Sequence, residues 1–192
     1  LLDFFLRRPR GHEAQLFDAM RYSVIGGGKR LRAYLVFASA CIFDVKNSSA
    51  LRVGTAVEMV HSYSLIHDDL PCMDDDDMRR GKPATHIAFG ESTAILAGNS
   101  LFSQAIEILA GKEIHELPEV RLDLIEKLAA ASGPKGMCGG QIMDLLAKNN
   151  VLDELQISRL QEMKTGSIVS FCCQAGAILG RGNYKDHSVL KN

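Results

Sequence analysis

The sequence has no tryptophan and only 6% aromatic residues, which leaves little surface on which nucleic-acid bases could stack. Its formal net charge is −1, so no bulk basic field attracts nucleic acid, and none is expected as a partner. The five cysteines, Cys41, Cys72, Cys138, Cys172 and Cys173, are odd in number and form no C-x-x-C pair. A disulfide framework and a zinc site are therefore not expected, and a reducing cytoplasm is the natural setting. No apolar run reaches about 18 residues without a polar or charged interruption, so neither a membrane span nor stable membrane insertion is expected. The opening LLDFFLRRPRG is too short and too charged for a signal peptide. There is no strand signal, no internal repeat and no domain boundary. The chain has 192 residues, 46% of them hydrophobic, which suits one globular domain with a real core, residues 1–192.

Helical spacing fills the chain instead. Residues 13–25 carry Leu16, Ala19, Met20 and Val24 at helical intervals, and Gly26-Gly27-Gly28 should end that helix. The apolar helix LRAYLVFASACIF follows Lys29 and Arg30. Residues 51–69 form the next helix. Residues 92–110 form another, with Ser92 as a candidate N-cap and Ile95, Phe102, Ala105 and Leu109 as one apolar stripe. Gly98, Asn99 and Ser100 would admit a close neighbour. Pro118 starts a helix that runs to about Ser132. Gln141 and Asp144 share a face of the glycine-rich helix around residues 136–145. Residues 153–164 are amphipathic. Lys164, Thr165 and Gly166 then interrupt an apolar helix that runs to Leu179, which predicts a kink turning polar groups into a pocket. The pattern is all-α, a helical bundle with a central cavity.

The stretch HSYSLIHDDLPCMDDDDMRRGKPATH, from His61 to His86, carries the chemistry. It holds six aspartates: Asp68, Asp69, Asp74, Asp75, Asp76 and Asp77. Carboxylates so close repel one another, and a cation removes that cost; hard oxygen ligands select Mg²⁺ or Ca²⁺. The glycine and the twelfth-position glutamate of a calcium hand are missing. Arg79 and Arg80 beside them suit an anionic, bidentate ligand such as phosphate. Along a helix, His61, Leu65 and Asp68 share one face. Pro71 disfavours further helix, so Leu70-Pro71-Cys72-Met73 should form a loop returning Asp74 towards Asp68. Upstream, Gly27-Gly28-Lys29-Arg30-Leu31-Arg32 gathers three cations at a helix start, an arrangement able to hold an anion. Taken alone, such a fragment is an ordinary basic turn, and the acidic run an ordinary solvated loop.

Asp68-Asp69, then Asp74 after four intervening residues, then Arg79-Arg80-Gly81-Lys82-Pro83, resembles the first aspartate-rich motif of the trans-prenyl diphosphate synthases. The likeness is to bacterial farnesyl and plant geranylgeranyl diphosphate synthases, which carry the two-residue insertion seen here as Pro71-Cys72. The resemblance implies the isoprenoid-synthase fold, usually as a homodimer, and it runs from residue 11 to the end of the chain. It implies Mg²⁺ held by Asp68 and Asp74 on an allylic diphosphate, with Arg79 adding a contact. It assigns isopentenyl diphosphate to Lys29, Arg32, His61 and Arg80, and the allylic site to Gln141, Asp144, Lys164 and Thr165. Ala33 stands where the family usually has proline. His67 is left as structural. Tyr63, five residues before Asp68, matches the family position where an aromatic goes with fifteen-carbon products. The expected product is farnesyl diphosphate, with geranylgeranyl diphosphate synthase and a non-catalytic partner subunit as alternatives. A terpene cyclase would not need the Gly-Lys-Arg site. The family's second aspartate-rich motif does not occur in these 192 residues, so the domain is expected to be incomplete at its C-terminal end.

Overall fold

Eight consecutive residues, from Val53 to Val60, are buried on every side of one long helix, as expected where a helix is the core rather than its cover. The computed structural model describes residues 1–25, 27–148 and 150–191. Of the glycine run expected to end the first long helix, Gly26 lies outside the described residues, as does Asn192 of the polar tail. The helices are α1 (Leu2–Phe5), α2 (Ala14–Ile25), α3 (Leu31–Ile42), α4 (Asn47–Asp68), α5 (Thr85–Phe89), α6 (Glu91–Ala110), α7 (Pro118–Ser132), α8 (Met137–Ala147), α9 (Glu154–Gln161), α10 (Ser167–Leu179) and α11 (Tyr184–Lys191). The fold is all-α, as the sequence predicts. Among the described residues the one departure is a minimal hairpin, β1 (Met78–Arg79) paired antiparallel with β2 (Lys82–Pro83).

Two compact units make up the chain. The first comprises residues 1–30 and 55–107, the second residues 31–54 and 108–192. In the first, α4 and α6 present Val57, Val60, Ile66, Ala97, Leu101 and Ala105, all buried. Ser92 is not the N-cap of α6, because the helix already begins at Glu91. The expected apolar stripe is also rotated: Ile95 is 42% exposed, and Ala94, Ala97 and Leu101 take the buried face with Ala105 and Leu109. Against the sequence expectation, α6 is by length and composition long and apolar enough to cross a membrane, with one face of it buried. A close neighbour at the small residues of α6 was expected, and it is His67. A Cβ on Gly98 would lie 2.3 Å from His67 Nε2, which instead faces the Ile95 carbonyl at 3.2 Å.

In the second unit α10 lies directly on α3. Gly176 is the point of closest approach, since a Cβ there would stand 2.3 Å from the Ser39 carbonyl carbon. Ser39 Oγ accepts from the Gly176 amide at 3.2 Å and donates to the Cys173 carbonyl. Pro118 occupies the first turn of α7, where its missing N–H costs nothing. Asp153 and Gln156 form a reciprocal capping box that starts α9. Where a kink was expected, the backbone makes a single π-helical turn, Glu162–Gly166, between α9 and α10, and Thr165 on it is exposed. None of the five cysteines forms a disulfide; burial pushes the Cys173 thiol up from its ordinary pKa.

Candidate functional site

The acidic loop folds back on the end of α4. After Asp68 the chain turns through Leu70–Met73, and the Asp74 amide donates to the Asp68 carbonyl at 2.8 Å. The Asp75 amide donates to Leu70 and the Asp76 amide to Asp69, at 3.1 and 3.2 Å. The loop therefore returns Asp74 to Asp68, as the position of Pro71 predicts. Asp75 takes a positive φ of 57°, a conformation that aspartate tolerates better than most residues. Asp68 and Asp74 are both half-buried, and Asp75, Asp76 and Asp77 are exposed.

Asp69 behaves differently from its neighbour. One helical step turns it about 100° from Asp68, into the protein, where it is 2% exposed. A carboxylate so buried needs a partner, and Arg79 supplies a two-pronged one. Arg79 Nε donates to Asp69 Oδ1 at 2.9 Å, its terminal nitrogen reaches the same carboxylate, and it also reaches Asp76 at 3.1 Å. The hydrogen bond to Asp69 holds the guanidinium above its ordinary pKa against the opposing effect of burial; the charges of Asp76 and Asp68 act in the same direction. Arg79 is thus a charged strut at every accessible pH.

Arg80 and Gly81 form the hairpin turn, both with positive φ, 54° and 75°, the combination a tight two-residue hairpin requires. The turn aims Arg80 at the glycine segment, where it donates to the Gly27 carbonyl at 2.9 Å. Gly27 and Gly28 have φ of 129° and 103°, which side-chain-bearing residues rarely adopt. Lys29 beyond them is exposed. Arg30 is turned away, into an ion pair at 3.0 Å with Glu58, itself 4% exposed. His61 lies half-buried on α4, and its carbonyl accepts from Ser64 Oγ at 2.9 Å. Tyr63 meets His67 and Phe102 edge-on, at ring-centroid distances of 4.9 and 5.5 Å.

The second unit holds the other predicted residues. Arg32 is half-buried in the first turn of α3. Lys164 Nζ forms an ion pair with Asp144 on α8. The π-helical turn packs so tightly on α8 that a Cβ on Gly140 would stand 2.2 Å from the Lys164 amide nitrogen. Gln141, beside Gly140, is 7% exposed, and Thr165 is exposed. Sequence reasoning named Asp69 and Asp76 only as members of the acidic run, without their pairing to Arg79, and did not single out Tyr22 or the Gly27 carbonyl. The available signal was the one-residue step from Asp68 to Asp69, which places the two carboxylates on different faces of a helix.

The donor set fits a hard divalent cation: two half-buried carboxylates across one hydrogen-bonded turn, with oxygen donors only. Among the described residues no group of three metal-ligating side chains forms, so a cation here would draw its remaining ligands from substrate oxygens and water.

Residues 13–192 match the Polyprenyl synthetase family. The chain is 44% identical over 177 residues to the farnesyl diphosphate synthase of Bacillus subtilis, covering 92% of this chain and 60% of that protein. It is 41% identical over 182 residues to geranylgeranyl pyrophosphate synthase 4 of Arabidopsis thaliana, covering 92% and 48%. A solved FPP/GFPP synthase from Zymomonas mobilis superposes with a TM-score of 0.96 at 50% identity, over 99% of this chain and 69% of that one. The chain therefore has the isoprenoid-synthase fold, and it spans about half to three-fifths of the length of these two curated relatives. Prenyl diphosphate synthases as a class use a divalent metal. The motif at Asp68–Pro83, the helical fold and the match from residue 13 onwards agree: the chain belongs to the polyprenyl synthetase family.

Proposed function

We propose that the protein is a prenyltransferase that joins isopentenyl diphosphate to dimethylallyl or geranyl diphosphate, giving farnesyl diphosphate with Mg²⁺ as the metal. The observation that carries this reading is the Asp68–Asp74 turn, closed by a backbone hydrogen bond of 2.8 Å and flanked by two arginines. Farnesyl diphosphate synthases among the relatives, at 42–44% identity, support it.

Asp68 and Asp74 are assigned the metal, and a cation held there would supply charge to the departing diphosphate. Lys29, Arg32, His61 and Arg80 are assigned the diphosphate of isopentenyl diphosphate. Arg79, already fixed by Asp69, adds a charge on the allylic side. Lys164 and Thr165, with Gln141 and Asp144, are assigned the allylic end; the ion pair with Asp144 fixes the direction of Lys164. In the reaction the allylic C–O bond breaks and its electron pair leaves with the diphosphate. The isopentenyl alkene forms the new C–C bond, and the released diphosphate removes the proton. This leaves no separate general base for the protein to provide. Tyr63 would stop the product at fifteen carbons. A cytoplasmic homodimer completes the proposal, the dimer being testable by sedimentation.

Geranylgeranyl diphosphate synthase is the second reading, favoured by the Arabidopsis relatives at 39–41% identity. Prolonged incubation with Mg²⁺, isopentenyl diphosphate and dimethylallyl diphosphate, followed by sizing of the products, decides between them. A fifteen-carbon product is expected, and Asp68→Ala should lower its formation by about 100-fold or more. A twenty-carbon product would favour the second reading. Absence of both product and Mg²⁺-dependent diphosphate binding would leave a non-catalytic subunit.

A further inference from the structure

Asp69 ends a continuous chain of contacts that runs from α4 to the glycine segment. Its carboxylate is 2% exposed and holds Arg79 with two prongs. Its carbonyl accepts from the Asp76 amide at 3.2 Å, so both side chain and backbone grip the segment entering the hairpin. The hairpin is closed at its base by the Ala84 amide donating to the Asp77 carbonyl at 2.7 Å. Its far side is fastened to α2 and to the glycines that follow. Tyr22 Oη donates to the Pro83 carbonyl at 2.8 Å, and Lys82 Nζ lies 5.7 Å from the Tyr22 ring centroid. Arg80 donates to the Gly27 carbonyl, and its guanidinium lies close over Gly28, where a Cβ would stand 3.0 Å from Arg80 Cζ. A small cavity of about 30 Å³, lined among others by Tyr22, Asp69, Arg79 and Thr85, lies beside these contacts. It has room for about one water and no more.

We infer that Asp69 is a positioning residue for the isopentenyl diphosphate site rather than a metal ligand. Its carboxylate is saturated by Arg79, whereas Asp68 and Asp74 are the half-buried pair across the turn. Through Arg79 it orders the hairpin, and through Arg80 and Tyr22 the hairpin holds Gly27 and Gly28 in the left-handed conformation that presents Lys29. The carboxylate beside the metal ligand thereby sets the geometry of the second diphosphate's loop. The inference rests on the proposed function for what Lys29 binds.

The test separates the two sites. Calorimetry on the 192-residue chain would measure isopentenyl diphosphate binding, and separately Mg²⁺-dependent binding of dimethylallyl thiodiphosphate, whose C–S bond ionises slowly. Asp69→Asn keeps the volume and one acceptor but removes the charge that organises Arg79. It should weaken isopentenyl diphosphate about tenfold, in the lower part of the usual coupling range, and change the thio analogue less than threefold. Tyr22→Phe, which keeps the ring and removes only the hydrogen bond that fastens the hairpin to α2, should weaken isopentenyl diphosphate in the same direction. The double variant should be no worse than the poorer single one, because both cut the same chain of contacts. Amide exchange at Gly28 and Lys29 should quicken in both variants while thermal stability of Tyr22→Phe stays near wild type. Loss of thio-analogue binding in Asp69→Asn to the extent seen in Asp68→Ala would make Asp69 a metal ligand and overturn the inference. So would unchanged isopentenyl diphosphate binding, or additive losses in the double variant. A wild-type chain that binds neither diphosphate would overturn the proposed function as well.

Discussion

Tyr63 stands five residues before Asp68 on an unbroken helix, so its Cα lies about 7.5 Å from that of Asp68 along the axis. A prenyl tail that starts at the metal and follows α4 towards its N-terminus would meet the ring after a few isoprene units. The ring is braced edge-on by His67 and Phe102, which limits its freedom to swing aside. Met59 and Ile66, which helical spacing offers as core partners for Tyr63, are themselves buried, while Tyr63 remains half-exposed. Tyr63→Ala should therefore move the products to twenty carbons or more, read by chromatography of the dephosphorylated alcohols. A folded, active variant that still stops at fifteen would place the floor on α6, where Phe102 is the next ring. The return of Asp74 to Asp68 was legible, because Pro71 forbids helix and the loop is short. The partner of Asp69 was not, because a pairing ten residues away through a hairpin leaves no periodic trace.

Glycine decides how closely the elements can pack. The α3–α10 contact depends on Gly176, where an added methyl would meet backbone atoms of Ser39 and Ala40 at 2.3 and 2.5 Å. Backbone cannot yield as a side chain tip can, so Gly176→Ala forces the helices apart and strains both Ser39 hydrogen bonds. Overpacking of this kind costs about 1–3 kcal/mol, which for a chain of this length lowers Tm by roughly 3–10 °C. Thermal unfolding followed by circular dichroism checks it; an unchanged Tm would mean that α10 can shift on α3 without loss. Most helices were readable from spacing, and Pro118 marked the start of α7 to the residue. The short elements were not: α1, α5 and α11, the hairpin and the π-helical turn. The hairpin has two-residue strands, too short for alternation to register, and its turn uses Arg80 where asparagine or aspartate is the usual signal. The π-helical turn at Glu162–Gly166 left a trace only as a predicted kink, since one extra residue in a turn changes the backbone bonding and little in the composition.

At the scale of the molecule, the two compact units were hard to find from composition, because two of their three boundaries fall inside helices: Gly54 and Thr55 are both in α4, Glu107 and Ile108 both in α6, while the third, between Arg30 and Leu31, falls at the start of α3. No linker marks the two crossings inside α4 and α6. The family and fold class were legible because a long motif with fixed spacing carries more information than any propensity. That motif also bounds what these residues should do. Ionisation of an allylic diphosphate needs charge placed against the leaving group and water kept from the cation. The 192 residues carry one aspartate-rich motif and align with 60% of the Bacillus subtilis enzyme. Binding asks less than turnover, since a carboxylate pair and a hydrogen-bonded loop can hold a metal and a diphosphate without closing a cavity around the reacting carbons. The chain should therefore bind Mg²⁺ and the thio analogue within about tenfold of the Bacillus enzyme, while its kcat falls about 100-fold or more below it, differences of about 1.4 and 2.7 kcal/mol. Parallel calorimetry and steady-state assays measure the two quantities. Equal kcat values would establish that one acidic motif suffices for the chemistry, and parallel losses in binding and turnover would place the defect in the Asp68–Asp74 turn itself.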